Sequence, residues 1–161
     1  MTVSSSQRLS FDLDAGMLKT IGEEFDPDKI TRQFADVVAN KDENEIEKAG
    51  RQLFANYGKK WAERSLELGE KHTDATYETL KKAIVKTGLM YFPLVPQRFV
   101  EIAYLSVMSF LTLTLVQNNG EKLAYRLVQC DIYNGIKEKT NATAANLLVC
   151  RHGCLMALET L

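Results

Sequence analysis

The chain has 161 residues, of which 45% are hydrophobic, and its 20 basic and 21 acidic side chains leave a net charge of −1. This size suits a single domain over residues 1–161, which can bury about two-thirds of the surface that its unfolded chain exposes without help from disulfides. The charge balance provides no basic surface for nucleic acid, and the most apolar run, Phe99 to Val116, is too often interrupted by polar residues to cross a membrane.

The N-terminal segment Met1–Ser10 is polar, rich in hydroxyl side chains and without an apolar stretch. We therefore expect no signal peptide and no ordered structure over residues 1–10. The three cysteines all lie between residues 130 and 154. An odd, clustered set of cysteines favours reduced thiols in the cytoplasm over a secreted disulfide scaffold.

The first half of the chain carries helical patterns. Asp26-Pro27 predicts an N-cap followed by proline at the first helical position. A long helix is predicted from about Asp42 to Leu68, ended by Gly69, because its apolar residues recur at steps of three and four. Gly50 and Gly58 lie on or near its apolar face, and each costs about 1 kcal/mol of helix propensity relative to alanine. We expect another backbone to approach closely at these glycines, which would make this helix central to the fold.

A further helix is predicted to start at Thr73 or Asp74 and to end at Gly88. Beyond it the composition changes, and the stretch from Leu89 to Gln129 contains many β-branched and aromatic residues. Within this stretch Leu111–Leu115 alternates apolar and hydroxyl residues, and Asn118-Asn119-Gly120 predicts a hairpin turn. We expect a twisted antiparallel sheet of three or four strands in this part of the chain.

Helical patterns return at Asp131–Lys139 and from about Thr143 to the end of the chain. The predicted fold class is therefore α+β, with N-terminal helices packed on a small antiparallel sheet and followed by C-terminal helices that carry the cysteines.

The candidate site lies in the C-terminal quarter, at Cys130, Cys150, His152 and Cys154. In a regular helix Cys150 and Cys154 stand one turn apart on one face, with Cβ atoms about 6 Å apart. His152 would point about 200° away from Cys150, so it can join the thiols only where the backbone departs from a regular helix. Gly153 permits such a departure. Cys130 ends the predicted hairpin, where a sheet edge could deliver it to the same place.

Each of these residues also has a structural interpretation. A buried free cysteine often serves as a small apolar side chain, which suits Cys154 between leucine and methionine residues. His152 fits a solvated helix end, and Cys130 precedes Asp131, which suits the N-cap of the next helix. Glu101 interrupts an apolar strand and is either on its water-facing side or, on an inward face, a general acid or base.

A divalent metal such as zinc, held by Cys130, Cys150 and Cys154, is a further possibility for this region. The standard tetrahedral zinc sets contain two CxxC-type pairs, and this sequence has none. Phosphate-binding glycine loops, GxSxG and HExxH motifs are also absent from the sequence, which argues against nucleoside triphosphatases, Rossmann dehydrogenases, α/β-hydrolases and zincin proteases.

In the second half of the chain a predicted strand ends in a cysteine, a short predicted helix follows, and another cysteine comes twenty residues after the first. The segments that form this pattern are Tyr125–Cys130, Ile132-Tyr133, Ile136–Glu138 and Leu148–Cys150. The long helix contributes Ala49-Gly50-Arg51, Tyr57-Gly58 and Trp61-Ala62. Together these segments, over roughly residues 46–154, resemble the L-2-amino-thiazoline-4-carboxylic acid hydrolase-like family. The order of elements is more distantly similar to four-vinyl-reductase, or hydrocarbon-binding, domains.

The resemblance implies ring-opening hydrolysis of a carbon–nitrogen bond in a cyclic amidine, with Cys130 and Cys150 matching the family's paired cysteines. A thiolate would attack the amidine carbon, or a thiolate-bound metal would activate water. His152 or Glu101 would then move the proton.

Two functions from different classes follow from the sequence. The first expectation is a hydrolase that acts on a cyclic amidine or amide through a cysteine-centred site. The alternative is a non-catalytic sensor or carrier domain that binds a small apolar ligand or a metal, because the composition of Leu89–Leu115 suits an apolar cavity as well as an ordinary core. Trp61, Phe92 and Tyr104 either line such a pocket or belong to the core. The long amphipathic helices also allow a homodimer.

Overall fold

The structure is a computed structural model that describes residues 15–72, 110–118 and 123–160, together with positions 78, 79, 82, 85–87 and 103. Its elements in chain order are α1 (Ala15–Glu24), α2 (Pro27–Val38), α3 (Glu43–Lys71), β1 (Leu111–Asn118), β2 (Leu123–Cys130), α4 (Asp131–Lys139), α5 (Ala142–Ala145), a π-helix (Asn146–Cys154) and α6 (Leu155–Glu159). The α+β class is confirmed, with helices on either side of a small antiparallel sheet in the sequence and cysteines in the C-terminal helical part. None of the described helices has the length and apolar character needed to cross a bilayer.

The predicted starts of α2 and α3 are confirmed, and both rest on aspartate N-caps. The Asp26 side chain accepts a hydrogen bond from the Asp28 amide at 2.8 Å, and Pro27 occupies the first turn. Asp42 accepts from the Glu45 amide at 2.9 Å, while the Glu45 carboxylate accepts from the Asp42 amide at 3.3 Å. This reciprocal capping box satisfies two amides that the first turn of a helix leaves unpaired.

The predicted end of α3 at Gly69 is wrong. The helix continues to Lys71, and the His72 amide closes its last turn by donating to the Leu68 carbonyl at 2.8 Å. Gly69 is buried within the helix. Glycine costs a helix only about 1 kcal/mol relative to alanine, so packing around it readily overrides its tendency to end one.

The expectation that another backbone approaches α3 closely is confirmed at Gly58, whereas side chains approach Gly50. A Cβ atom built on Gly58 would lie 2.1 Å from the carbonyl oxygen of Gly153, in the π-helix. A Cβ atom on Gly50 would lie 2.9 Å from Leu148 Cδ1 and 3.1 Å from Phe34 Cε2. Helix α3 packs against α2, the π-helix and α6, and is therefore the central element of the described fold.

Helix α1 was not predicted from the sequence. Met17 and Ile21 are fully buried, one turn apart, and Phe25 extends the same stripe just past the helix. The hydroxyl of Tyr57, on α3, donates to the Phe25 carbonyl at 3.1 Å and joins the end of α1 to the central helix.

The sheet has two antiparallel strands among the described residues, where three or four were expected. Leu111 pairs with Cys130, and two β-bulges interrupt the register. The extra residues at these bulges are Val128 and Val116, which are 57% and 60% exposed. Ala103 lies in the stretch from Leu89 to Gln129 that was expected to form the sheet, but it is fully buried and has a helical conformation of the π type, so the expectation of a strand is wrong at Ala103.

Several other predictions lie outside the described residues. These are the order of residues 1–10, the start and end of the helix between Thr73 and Gly88, the hairpin turn at Asn119-Gly120, the placement of Glu101, and the surroundings of Phe92 and Tyr104.

Candidate functional site

The C-terminal segment that carries two of the cysteines is wound as a π-helix rather than as the predicted regular α-helix. In this segment, Asn146–Cys154, a backbone amide donates to the carbonyl five residues earlier, rather than four residues earlier as in an α-helix. The Leu155 amide, for example, donates to the Cys150 carbonyl. A π-helix of this length is uncommon, and shorter π segments occur often at functional sites. Gly153 is buried within it, at the contact with α3, so the departure from regular helix that glycine was expected to permit does occur.

Cys130 ends β2 and is itself the N-cap of α4, so the expectation that Asp131 would take this role is wrong. The Cys130 sulfur accepts a hydrogen bond from the Tyr133 amide at 3.4 Å. The Asp131 amide donates to the Phe110 carbonyl at 3.0 Å, which holds the start of α4 against the base of the hairpin. The reason is positional: Asp131 already has helical geometry, and the residue before it is the one whose side chain reaches the third amide.

A small apolar cavity lies between α3, the base of the hairpin and the π-helix. Its volume is about 10 Å³, close to the minimum of roughly 10–15 Å³ that one water molecule requires. The described residues that line it are Phe54, Tyr57, Trp61, Phe110, Leu111, Cys130, Ile132, Val149, Gly153 and Cys154. None of them has a side chain that is charged at neutral pH, and the Tyr57 hydroxyl is engaged by the Phe25 carbonyl.

The three thiols lie close enough to influence one another's ionisation. Burial is the largest cause of the raised pKa of Cys130, and the negative charge of a Cys150 thiolate raises it further. Burial raises the pKa of Cys154 to about 12, with smaller contributions from Cys130 and Cys150. Burial also raises the pKa of Cys150. All three cysteines are free, and at neutral pH they are predominantly protonated thiols.

The same surroundings raise the pKa of the Tyr57 phenol. Burial is the largest cause, followed by the negative charge that Cys154 and Cys130 would carry as thiolates. Tyr57 therefore remains a neutral hydrogen-bond donor. Cys130 and Cys154 line the cavity beside it, whereas Cys150 does not border the cavity.

His152 does not join the thiols. Its pKa is lowered, chiefly by burial and then by the positive charges of Arg51 and Arg151, while Glu47 and Glu159 act in the opposite direction. Its Nε2 atom is buried and has no hydrogen-bond partner among the described residues. His152 thus lies among charged groups of α3 and the chain's last helical turns, away from the cavity.

The lowered pKa of His152 predicts an acid-sensitive contribution to stability. An unfolded chain has a histidine pKa of about 6.5, so below that pH it binds a proton that the folded chain binds less readily. The contribution of His152 is complete above about pH 6.5 and is lost as the pH falls through the lowered pKa of the folded chain. We expect a His152→Gln variant to lose less melting temperature than the wild type between pH 7 and pH 5.

A His72→Gln variant, which changes the chain's other histidine at the end of α3, provides the control. It should lose as much melting temperature between pH 7 and pH 5 as the wild type does, because it still contains His152. Equal acid sensitivity of the wild type and the His152→Gln variant, measured by calorimetry, would contradict this assignment.

The predicted metal set is not formed in this arrangement. Among the described residues, no three histidine, cysteine, aspartate or glutamate side chains are placed to hold a metal ion together. The raised pKa of each thiol also opposes the thiolate form that metals bind. Glu101, the other predicted proton carrier, lies outside the described residues.

Sequence reasoning missed most of the cavity lining. Phe54 and Tyr57 were assigned only to an amphipathic helix face, and Val149 to no role. The available signal was the spacing of Phe54, Tyr57 and Trp61 on the face that also contains Gly58, since a glycine beside large apolar residues marks a place where another backbone comes near. The pairing of this face with Cys130 and Cys154 depends on contacts between distant parts of the chain, which the sequence pattern does not encode.

Comparison with known proteins gives no relative: no family model, no curated protein and no solved structure matches this chain.

Proposed function

We propose that this chain is a non-catalytic domain that binds a small apolar ligand in the cavity between α3, the base of the hairpin and the π-helix. The observation that carries the proposal is the lining of that cavity, in which aromatic rings, aliphatic side chains and protonated thiols face one another and none of the described lining residues carries a charge. Ligand sites are lined mainly by such side chains.

The state of the thiols supports binding over thiolate catalysis. A nucleophilic cysteine needs a low pKa or an adjacent base, and the pKa of all three cysteines is raised by burial. His152, the expected base, lies with Arg51 and Arg151 instead. Hydrolysis of a cyclic amidine, and the family resemblance that implies it, stay predictions.

The size of the cavity limits the ligand. An apolar space of about 10 Å³ holds no stable water, because a water molecule needs two to four polar partners. Any ligand larger than a diatomic molecule must displace lining side chains. We therefore propose that the ligand is very small, or that it enters by moving the side chains of Phe54, Trp61 and Val149.

Xenon is a suitable probe because it is apolar and consists of a single atom. We expect xenon under pressure to shift the indole NMR signal of Trp61, the chain's single tryptophan, and to do so saturably. A Val149→Phe variant should lose this response, because the larger ring fills the space beside Trp61.

The matched control is Leu155→Phe, which adds a comparable ring to a residue that is 48% exposed and does not line the cavity. It should retain the xenon response. A response that is linear in pressure, or that survives in Val149→Phe, would count against the cavity as the binding site. Turnover of a cyclic amidine that disappears in Cys150→Ser would replace the binding role with hydrolysis.

We also propose that the domain works in a reducing compartment such as the cytoplasm, which is supported by its three free thiols. A homodimer stays a prediction, and native mass spectrometry of the purified chain would report oligomeric state and retained ligand together.

A further inference from the structure

Two thiols from distant parts of the chain face the same cavity. Cys130 ends β2, and Cys154 ends the π-helix. Both line the cavity and both pack against the main apolar core. Because the cavity has room for about one water-sized molecule, few atoms separate its opposite walls.

We propose that Cys130 and Cys154 form a disulfide when the chain meets a peroxide, so that the cavity is an oxidation site. This inference does not depend on the ligand proposed above. It requires only that the two thiols approach each other across the space that they share.

The two cysteines have different roles in this reaction. Cys130 is the thiol that is oxidised first. It is predominantly protonated at neutral pH, so its reaction with peroxide is slow, but it is less buried than Cys154, and the Tyr133 amide donates to its sulfur and thereby favours the reacting thiolate. Cys154 is the resolving thiol, because it is the other thiol that lines the cavity and is the more deeply buried of the two.

The reaction is balanced with one molecule of hydrogen peroxide. The Cys130 sulfur attacks one peroxide oxygen and the O–O bond breaks, which gives a sulfenic acid on Cys130, while the thiol proton leaves with the departing hydroxide as water. The Cys154 sulfur then attacks the Cys130 sulfur and the S–O bond breaks, which forms the disulfide, while the Cys154 thiol proton joins the departing hydroxide as a second water. The two sulfur atoms are oxidised together by two electrons, and the peroxide is reduced.

Cys150 is the less suitable partner for Cys154, although it is closer in sequence. It does not line the cavity. Among the thiols, Cys130 contributes more than Cys150 to raising the pKa of Cys154. The structure thus favours the bridge between β2 and the π-helix over a bridge within the π-helix.

Digestion with trypsin distinguishes the three possible disulfides, because cleavage after Arg126, Lys137, Lys139 and Arg151 places each cysteine on a different peptide. The full-length chain is treated with hydrogen peroxide, its remaining thiols are alkylated, and the monomer fraction is digested without reductant. We expect mass spectrometry to find the peptide of residues 127–137 joined to the peptide that starts at His152, and to lose this species after reduction. A product joined through residues 140–151 as the main species, or no cross-link at all, would overturn the proposal.

Two variants test the assigned roles. Cys150→Ser should retain the cross-link in full, because its hydroxyl replaces a thiol that takes no part. Cys154→Ser should stop the reaction at a sulfenic acid on Cys130, which dimedone traps on the peptide of residues 127–137. Loss of the cross-link in Cys150→Ser would refute the pairing, and the wild-type peptide map decides the question even if a variant fails to fold.

Discussion

Replacement of Gly58 with alanine is expected to lower the free energy of unfolding by about 3 kcal/mol, the upper part of the range for overpacked sites. The added Cβ atom would lie 2.1 Å from the Gly153 carbonyl oxygen and 2.9 Å from its carbonyl carbon. Both atoms belong to the backbone, so no rotation of a side chain relieves the overlap. The π-helix must move away from α3, and that movement also opens the cavity.

Two other glycines provide matched controls for Gly58→Ala in urea denaturation. Gly22 lies within α1 and has no atom within 4 Å of the position that a Cβ would take, so Gly22→Ala should stabilise the chain by about 1 kcal/mol through helix propensity. Gly50→Ala should change the free energy of unfolding by an amount between those of the other two variants, because the nearest contacts of Gly50 are the ends of the Leu148 and Phe34 side chains, which can rotate. If Gly58→Ala were as stable as Gly22→Ala, the close approach of α3 and the π-helix would be refuted.

Replacement of Phe54 with alanine is expected to lower the free energy of unfolding by about 4 kcal/mol, as for other buried phenylalanines. Phe54 is 1% exposed, and its ring centroid lies 5.9 Å from that of Phe34. It also packs against Gly153 and lines the cavity. Its removal therefore joins new empty space to the existing cavity, and the lost contacts are not recovered by water.

The control for Phe54→Ala is Leu155→Ala, which also shortens an apolar side chain, at a position that is 48% exposed. It should change stability by about 0.5 kcal/mol or less if its neighbours are unaffected. The enlarged cavity of Phe54→Ala should also accept benzene, detected as a rise in melting temperature with benzene concentration. A loss below 1 kcal/mol for Phe54→Ala would indicate that the ring is not part of the core.

The parts of the fold that were predicted correctly depend on local chemistry. The Asp26 and Asp42 caps, the apolar stripe of α3 and the limits of α4 each follow from residues within a few positions of one another. Gly58 even indicated that a second backbone comes close, although the sequence did not reveal which one.

The parts that were missed depend on tertiary contacts. The π-helix exists where the segment around Gly153 lies against α3, and no periodicity of its own residues distinguishes it from an α-helix. The same contact places Cys154 at the cavity and leaves His152 beside Arg51. Cys130 and Cys154 therefore line one cavity while His152 lies apart from them, and the functional roles assigned to these residues from the sequence stay predictions.

The contact between Gly58 and Gly153 joins positions that are 95 residues apart in the sequence. During synthesis, α3 leaves the ribosome long before the π-helix that covers its glycine face. The part of that face that meets Gly153 lacks this cover until residues 146–154 emerge, and exposed apolar surface of this kind promotes aggregation of incomplete chains. The order in which the chain is made thus leaves the completion of its core to one of its last described segments.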